Sequence, residues 1–340
     1  SVGIASYPGD GDSAAELMKH AEAALHSAKS SGGSTFRFFR PEMTEQAQQQ
    51  LQLEMELRDA VENGGLELFY QPKIDLRDGG LRGAEALVRW RHPQRGLLLP
   101  MEFIPLAEER GVICDLGTWV LREACRQSQA WRQAHGRTVE IAVNISVAQA
   151  RQRDLVRDVL DACAAHGVSP TDLEVELTES GIMENLREIS PTFVGLRDIG
   201  VTVAVDDFGT GYSGFAYLRE LPADVLKIDR SFIMHLEDKP LDRKILNTIV
   251  TLGRDLDLSV VAEGVETEYQ SQLLVSYGCQ IAQGYLYDRP LPAEQFSAIY
   301  LTEDRPDDDA LPRQRTEGTA LPLQRGVPGT PVAGVTAAEV

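Results

Sequence analysis

A series of carboxylates and amides falls at or near the ends of successive apolar segments of this chain, and such groups gathered together do hard-metal chemistry. Glu85 lies within one segment, Asn144 ends another, and Glu176 and Glu179 follow on a third. The Asp206-Asp207 pair closes a fourth, Lys227 and Asp229 sit on a fifth, Glu263 and Glu266 follow a sixth, and Gln283 lies on a seventh. Taken singly, each reads as a helix N-cap or a solvated loop residue. Converging on one mouth, they would repel one another strongly at low dielectric and need cations between them. Oxygen-only ligands suit Mg²⁺ or Mn²⁺ rather than zinc. Neighbouring strand residues point to opposite faces, so Asp206 and Asp207 can share a site only where the strand ends and twists. Phe208-Gly209-Thr210-Gly211 supplies that loop. Asp206 can then bridge two ions while Asp207 holds the second, and two ions about 3.5–4 Å apart suit phosphodiester cleavage. Lys227 reads either as the partner of a buried acid or as a group that orients the attacking water. Arg89, four residues after Glu85, reaches either a phosphate or a surface carboxylate.

Elements that would position these groups are legible as eight apolar β-type runs, over 66–74, 81–90, 139–145, 173–177, 201–205, 225–228, 259–262 and 281–286. Helical stretches separate most of them. The pattern favours an α/β fold of the (β/α)₈ barrel type, whose functional groups gather at the C-terminal ends of the strands; counting runs leaves an open sheet possible. The first two runs are joined by Asp75-Leu76-Arg77-Asp78-Gly79-Gly80, with Asp78-Gly79 as a hairpin turn. A parallel crossover needs a dozen or more residues, so the first strand is expected antiparallel to the second.

Residues 1–40 read as strand–helix–strand, too little to bury a core alone. Residues 41–64 form a Gln- and Glu-rich helix, either a solvated connector or a dimerising signalling helix. The barrel occupies 65–301, and the Pro- and Gly-rich tail over 302–340 is expected to be disordered. The chain opens on Ser1 rather than Met, as a piece of a longer protein would. Its net charge of −19 argues against nucleic-acid polymers and anionic membranes as main partners. No apolar run approaches the roughly 20 residues of a membrane span. Cys114, Cys125, Cys163 and Cys279 lack metal-knuckle or redox spacing and read as reduced thiols of a cytoplasmic protein. The six histidines form no metal-hydrolase motif.

The residues from Glu85 to Arg89, Glu85-Ala86-Leu87-Val88-Arg89, resemble the name-giving motif of the EAL domains, the cyclic di-GMP phosphodiesterases. The likeness continues through Tyr70-Gln71-Pro72, Val143-Asn144-Ile145-Ser146, Glu176-Leu177-Thr178-Glu179-Ser180, the Asp206-Asp207 loop, Lys227-Ile228-Asp229, Ala262-Glu263-Gly264-Val265-Glu266 and Gln283-Gly284-Tyr285. It implies a modified TIM-type barrel with one antiparallel strand. It also implies hydrolysis of cyclic di-GMP to linear pGpG with two Mg²⁺ or Mn²⁺ ions. By resemblance, Glu85, Asn144, Glu176 and Asp206 hold the first ion, and Asp206 and Asp207 serve the second. Glu263 is implied as general base or positioner of the attacking water, with Lys227 orienting that water. Gln71, Leu87, Arg89 and Gln283 contact substrate. Glu179 anchors the loop after Asp207, and Glu266 and Asp229 support the site. Two positions depart from the family pattern: Gly214 loosens the loop, and Asp288 places negative charge near an anionic ligand. The first forty residues resemble the end of a GGDEF (diguanylate cyclase) domain without its signature, and the parent is expected to be a homodimer. The competing readings are a cyclic di-GMP receptor without turnover and an unrelated metal-dependent barrel with Lys227 as base.

Overall fold

The computed structural model describes residues 1–30, 33–152, 154–210 and 222–302. Gly214 and, past Thr302, the expected disordered tail lie outside the described residues. Eight strands close into a barrel: β1 (Leu66–Asp75), β2 (Leu81–His92), β3 (Ile141–Asn144), β4 (Leu173–Thr178), β5 (Thr202–Phe208), β6 (Val225–Ile228), β7 (Ser259–Ala262) and β8 (Ile281–Ala282). Neighbours from β2 round to β8 are parallel, while β1 closes the ring antiparallel to both β2 and β8. The tight turn after β1 dictates this. Asp75 and Gly80 pair through the backbone, the Gly80 N–H donates to Asp78 Oδ1 at 2.8 Å, and Gly79 takes a left-handed φ of 71°.

Strand alternation sorts the side chains. On β1, Tyr70 and Ile74 are buried on the helix side, the Tyr70 ring lying 4.7 Å from that of Trp131. Gln71 and Lys73, at alternate positions, are buried among lumen groups. On β4, Leu173, Val175 and Leu177 enter the main apolar core while Glu174 and Glu176 face the lumen. Deep in the lumen, Ala204, Val225, Val261 and Ile281 form a small apolar plug of their own. The residue two places further along each of their strands is Asp206, Lys227, Glu263 or Gln283, so the polar layer sits directly above that plug.

Two N-terminal strands, Val2–Ile4 and Phe36–Phe38, pair in parallel around the helix Ala14–Ser30. Val2, Phe36 and Phe38 stay exposed, as expected of a unit too small to enclose a core. The next helix, Pro41–Asn63, is more than a solvated connector. Its first half carries Met43 against Ala23 and Ala24, and its second half buries Leu57 and Ala60 in the barrel core. Glu56 receives buried His92, at the end of β2, at 2.9 Å, and Arg58 donates to the Arg110 carbonyl at 3.1 Å. The 3.6-residue period of the apolar positions produces this docking; polar composition hid it.

Truncating Leu57 to Ala is expected to cost about 2–5 kcal/mol of stability in urea denaturation, the usual loss for a fully buried leucine. A loss below about 0.5 kcal/mol would show that the helix does not dock.

Candidate active site

The lumen is built around one ammonium group. Lys227, on β6, is wholly buried, and its Nζ lies 2.5 Å from Glu176 Oε2, 2.7 Å from Glu263 Oε1, 3.0 Å from Asp206 Oδ1 and 3.7 Å from Glu85 Oε2. These acids come from β4, the end of β7, β5 and β2, so Lys227 ties together strands on opposite sides of the barrel. Burial alone would lower its pKa, but the four carboxylates more than reverse that and hold it well above the ordinary lysine value. Of the two readings of Lys227 drawn from sequence, the buried ion pair is the one this geometry displays, and it lies inside the candidate cluster.

Glu85 is gripped from several directions. Asn144 Nδ2 donates to its Oε1 at 2.8 Å, and Gln283 Nε2 donates to its Oε2 at 2.5 Å. Gln283 also donates to Gln71 Oε1 at 3.0 Å, and Gln71 donates to the Asp288 carbonyl at 3.1 Å. Gln283 Oε1 is buried and has no hydrogen-bond partner among the described residues. Burial raises the Glu85 pKa; Lys227 opposes the rise, and Glu176 and Asp206 add to it.

The Asp206-Asp207 pair sits in an irregularity of β5 rather than in the loop after it. The register with β6 shifts between Val205 and Phe208, and Asp207 itself takes a left-handed φ of 53°. An aspartate tolerates that region better than most residues. The twist therefore comes one or two residues earlier than the sequence suggested, with the strand resuming through Phe208. One oxygen from each of Asp206, Asp207 and Glu263 lies within 4.8 Å of the others, a grouping able to hold a metal ion. Glu179, wholly buried at the start of the helix Glu179–Asp198, accepts from the Gly209 N–H at 2.7 Å and so tethers the chain beyond Asp207. A side chain at Gly209 would collide with Phe232, its Cβ lying 2.6 Å from that ring.

Other expected residues are placed as follows. Arg89 stands 5.6 Å from the Phe69 ring centre, donates to its neighbour's carbonyl and forms no ion pair among the described residues. Leu87 is half-buried across from Phe69. Asp229 caps a 3₁₀ turn, accepting from the Ser231 N–H at 3.0 Å, and its charge helps raise the pKa of Asp207 behind burial and Asp206. Glu266 is exposed, and no hydrogen bond or ion pair brings its carboxylate to the cluster among the described residues. The Asp288 carboxylate accepts from the Tyr300 hydroxyl at 2.8 Å. Sequence reading missed Lys73 and Glu174. Polar residues at 71, 73 and 75 on one strand and 174 and 176 on another, inside runs otherwise apolar, were the signal for them.

Residues 54–290 match the EAL domain family. The chain belongs to the EAL domain family. Among its relatives are MucR of Pseudomonas aeruginosa, a bifunctional diguanylate cyclase/cyclic di-GMP phosphodiesterase, and NbdA of the same organism, a cyclic di-GMP phosphodiesterase. MucR is 47% identical over 298 residues, 88% of this chain and 44% of that protein. NbdA is 44% identical over 309 residues, 90% of this chain and 40% of that protein. The chain thus spans less than half the length of these curated relatives. The structure of the P. aeruginosa MucR phosphodiesterase in complex with c-di-GMP superposes with a TM-score of 0.69 at 46% identity, covering 72% of this chain and 99% of that one. The EAL domain architecture, an α/β barrel of eight strands with surrounding helices, is therefore that of this chain.

The cluster's titration gives a test. Burial, reinforced by Asp206, Glu85 and Glu176 and opposed by Lys227, raises Glu263 to about 8 from the ordinary 4.5. The folded protein then keeps a proton that the unfolded chain has released, so this group's contribution to stability falls as pH rises from about 4.5 to about 8. In chelator, the wild type should lose stability relative to Glu263→Gln across that window in urea melts. A pH-independent difference would contradict the raised pKa of Glu263.

Proposed function

We propose that this EAL domain hydrolyses cyclic di-GMP to linear pGpG with two divalent cations, Mg²⁺ or Mn²⁺, and that the −19 chain accepts an anionic substrate by means of them. The observation that carries the reading is charge imbalance in the lumen. Six carboxylates (Glu85, Glu174, Glu176, Asp206, Asp207 and Glu263) face the two ammonium groups of Lys73 and Lys227, leaving four negative charges when all are ionised. Two divalent cations would neutralise that excess. The donor set fits such ions, being carboxylate and amide oxygen throughout. Glu85, Asn144, Glu176 and Asp206 would hold one cation, and Asp206, Asp207 and Glu263 the other. Cations bound there make a water acidic and offset the charge of a scissile phosphate.

The chain's own groups divide the remaining work. Lys227 holds Glu176, Glu263, Asp206 and Glu85 at fixed separations and keeps a positive charge at the centre. Glu263, kept ionised once a cation sits beside it, is suited to take a proton from the attacking water or to position that water. Arg89, which forms no ion pair among the described residues, is available to a phosphate, while Gln71, Leu87 and Gln283 line the same side of the mouth. Glu179 steadies the Asp207 backbone through Gly209. Glu266 and Asp229 support the loops from outside the cluster.

The names and c-di-GMP complex of the relatives support this substrate. The N-terminal strand–helix–strand is read as the end of a GGDEF-like domain on its sequence resemblance and its strand–helix–strand order. Leu51 and Met55 remain exposed on the helix Pro41–Asn63 and suit packing against a second copy in a homodimer. No helix of the described residues is long and apolar enough to cross a membrane; a cytoplasmic setting is the compartment proposed.

The purified chain with Mg²⁺ or Mn²⁺ is expected to convert cyclic di-GMP to pGpG by chromatography. Chelator should abolish the product, and Glu85→Ala or Asp207→Asn should lower kcat at least about 100-fold. Saturable nucleotide binding without product would make the domain a receptor instead.

A further inference from the structure

Lys73 is a buried cation that none of the roles above uses. It lies on β1, and its Nζ is 2.8 Å from Glu176 Oε1 and 2.8 Å from Glu174 Oε1, both on β4. β1 and β4 are not neighbours; β2 and β3 stand between them in the wall. The side chain therefore spans the lumen. Its depth follows from register: Gln71 pairs with Glu85, whereas Lys73 pairs with Gly83, one pleat further from the mouth. Glu174 likewise lies one pleat below Glu176. Lys73 thus forms a floor beneath the cluster and grips Glu176 from below, while Lys227 takes the other oxygen, Oε2, at 2.5 Å.

We propose that Lys73 is a positioning residue: by fixing Oε1 of Glu176 from the lumen floor, it sets the orientation in which that carboxylate meets a divalent cation. A buried ammonium is costly to desolvate and packs no better than an apolar chain of its size. Its two hydrogen bonds do what packing cannot. A carboxylate held at a single oxygen can still swing about its last torsion, which is broad and shallow; one held at both oxygens by cations from different strands cannot. Lys227 alone would leave that freedom, and its ammonium is shared among four acids. Because Lys73 approaches from the side away from the mouth, it constrains Glu176 without competing for the space a substrate needs. The inference rests on the two-cation reading for its catalytic consequence, and on geometry alone for its effect on cation binding.

The test separates orientation from charge. Lys73→Met/Glu174→Gln removes one positive and one negative charge from the floor, so the lumen's net charge and its long-range attraction for cations are kept. Glu174→Gln alone leaves Lys73 on Glu176. Free Mn²⁺ is measured by electron paramagnetic resonance during titration of each protein without nucleotide, and kcat and KM for cyclic di-GMP are measured in parallel. The double variant is expected to bind Mn²⁺ about tenfold more weakly and to lose about tenfold or more in kcat, with KM within about threefold. Glu174→Gln lowers the lumen's negative charge by one but leaves Lys73 on Glu176, so it should keep at least about threefold more Mn²⁺ affinity and kcat than the double variant. Should that double variant fail to fold, Lys73→Leu/Glu174→Leu, which keeps the net charge and fills the floor with apolar side chains, carries the same two comparisons. Mn²⁺ affinity and kcat of the double variant matching the wild type would overturn the proposal and leave Lys73 as a counter-charge to Glu174. If the wild type hydrolyses no cyclic di-GMP, the substrate reading fails, but the Mn²⁺ titration still decides the role of Lys73.

Discussion

One ammonium among four carboxylates, in a lumen closed on all sides by strands, is the constraint on which the site depends. An uncompensated charge in such a place costs several kcal/mol, and a removed partner leaves the others exposed to one another's repulsion. Lys227 answers this by taking acids from four different strands, so its ion pairs fix how those strands sit around the ring. The apolar plug of Ala204, Val225, Val261 and Ile281 seals the lumen beneath. Without that seal, water would reach the pairs from below and weaken them.

Compensation is incomplete, and the shortfall shapes the chemistry. Two ammonium groups hold Glu176 at about 2, overcoming a burial effect that by itself would raise it. The acids with a single lysine partner go the other way, burial outweighing one ammonium: Glu263 rises to about 8 and Glu174 to about 7. Two carboxylates of one cluster are thus set apart by their surroundings, one locked in the ionised form and the other keeping its proton to near neutrality. The left-handed Asp207 and the tether from Glu179 to Gly209 bring a third acid to Asp206 and Glu263, where regular pleating would have turned it away.

Much of this was readable from sequence because it is local. The six-residue connection after β1 forces an antiparallel strand, and the ordered motifs from Gln71 to Gln283 identify the lumen-facing positions. What the sequence hid is long-range. Nothing in the spacing of Lys73 and Glu174, about a hundred residues apart, says that they meet across the barrel. The alternation of polar residues within apolar runs said only that they point inward. Asp206 and Asp207 were read as sharing a site through the following loop, whereas a bulge within β5 turns them, because register shifts depend on the partner strand. Glu266 looked like part of the cluster by proximity in sequence to Glu263, yet the turn at Gly264 carries it to the surface. The helix Pro41–Asn63 looked solvated by composition and is half docked, since little more than one apolar residue per turn suffices when the receiving surface is a barrel wall.

The measurement that bears most directly on this account is an anomalous-scattering map from crystals of the chain grown with Mn²⁺. It should show two peaks in the lumen mouth sharing Asp206, one also contacting Glu85, Asn144 and Glu176 and the other contacting Asp207 and Glu263. A lumen without manganese, its carboxylates balanced by Lys227 and Lys73 alone, would contradict the account.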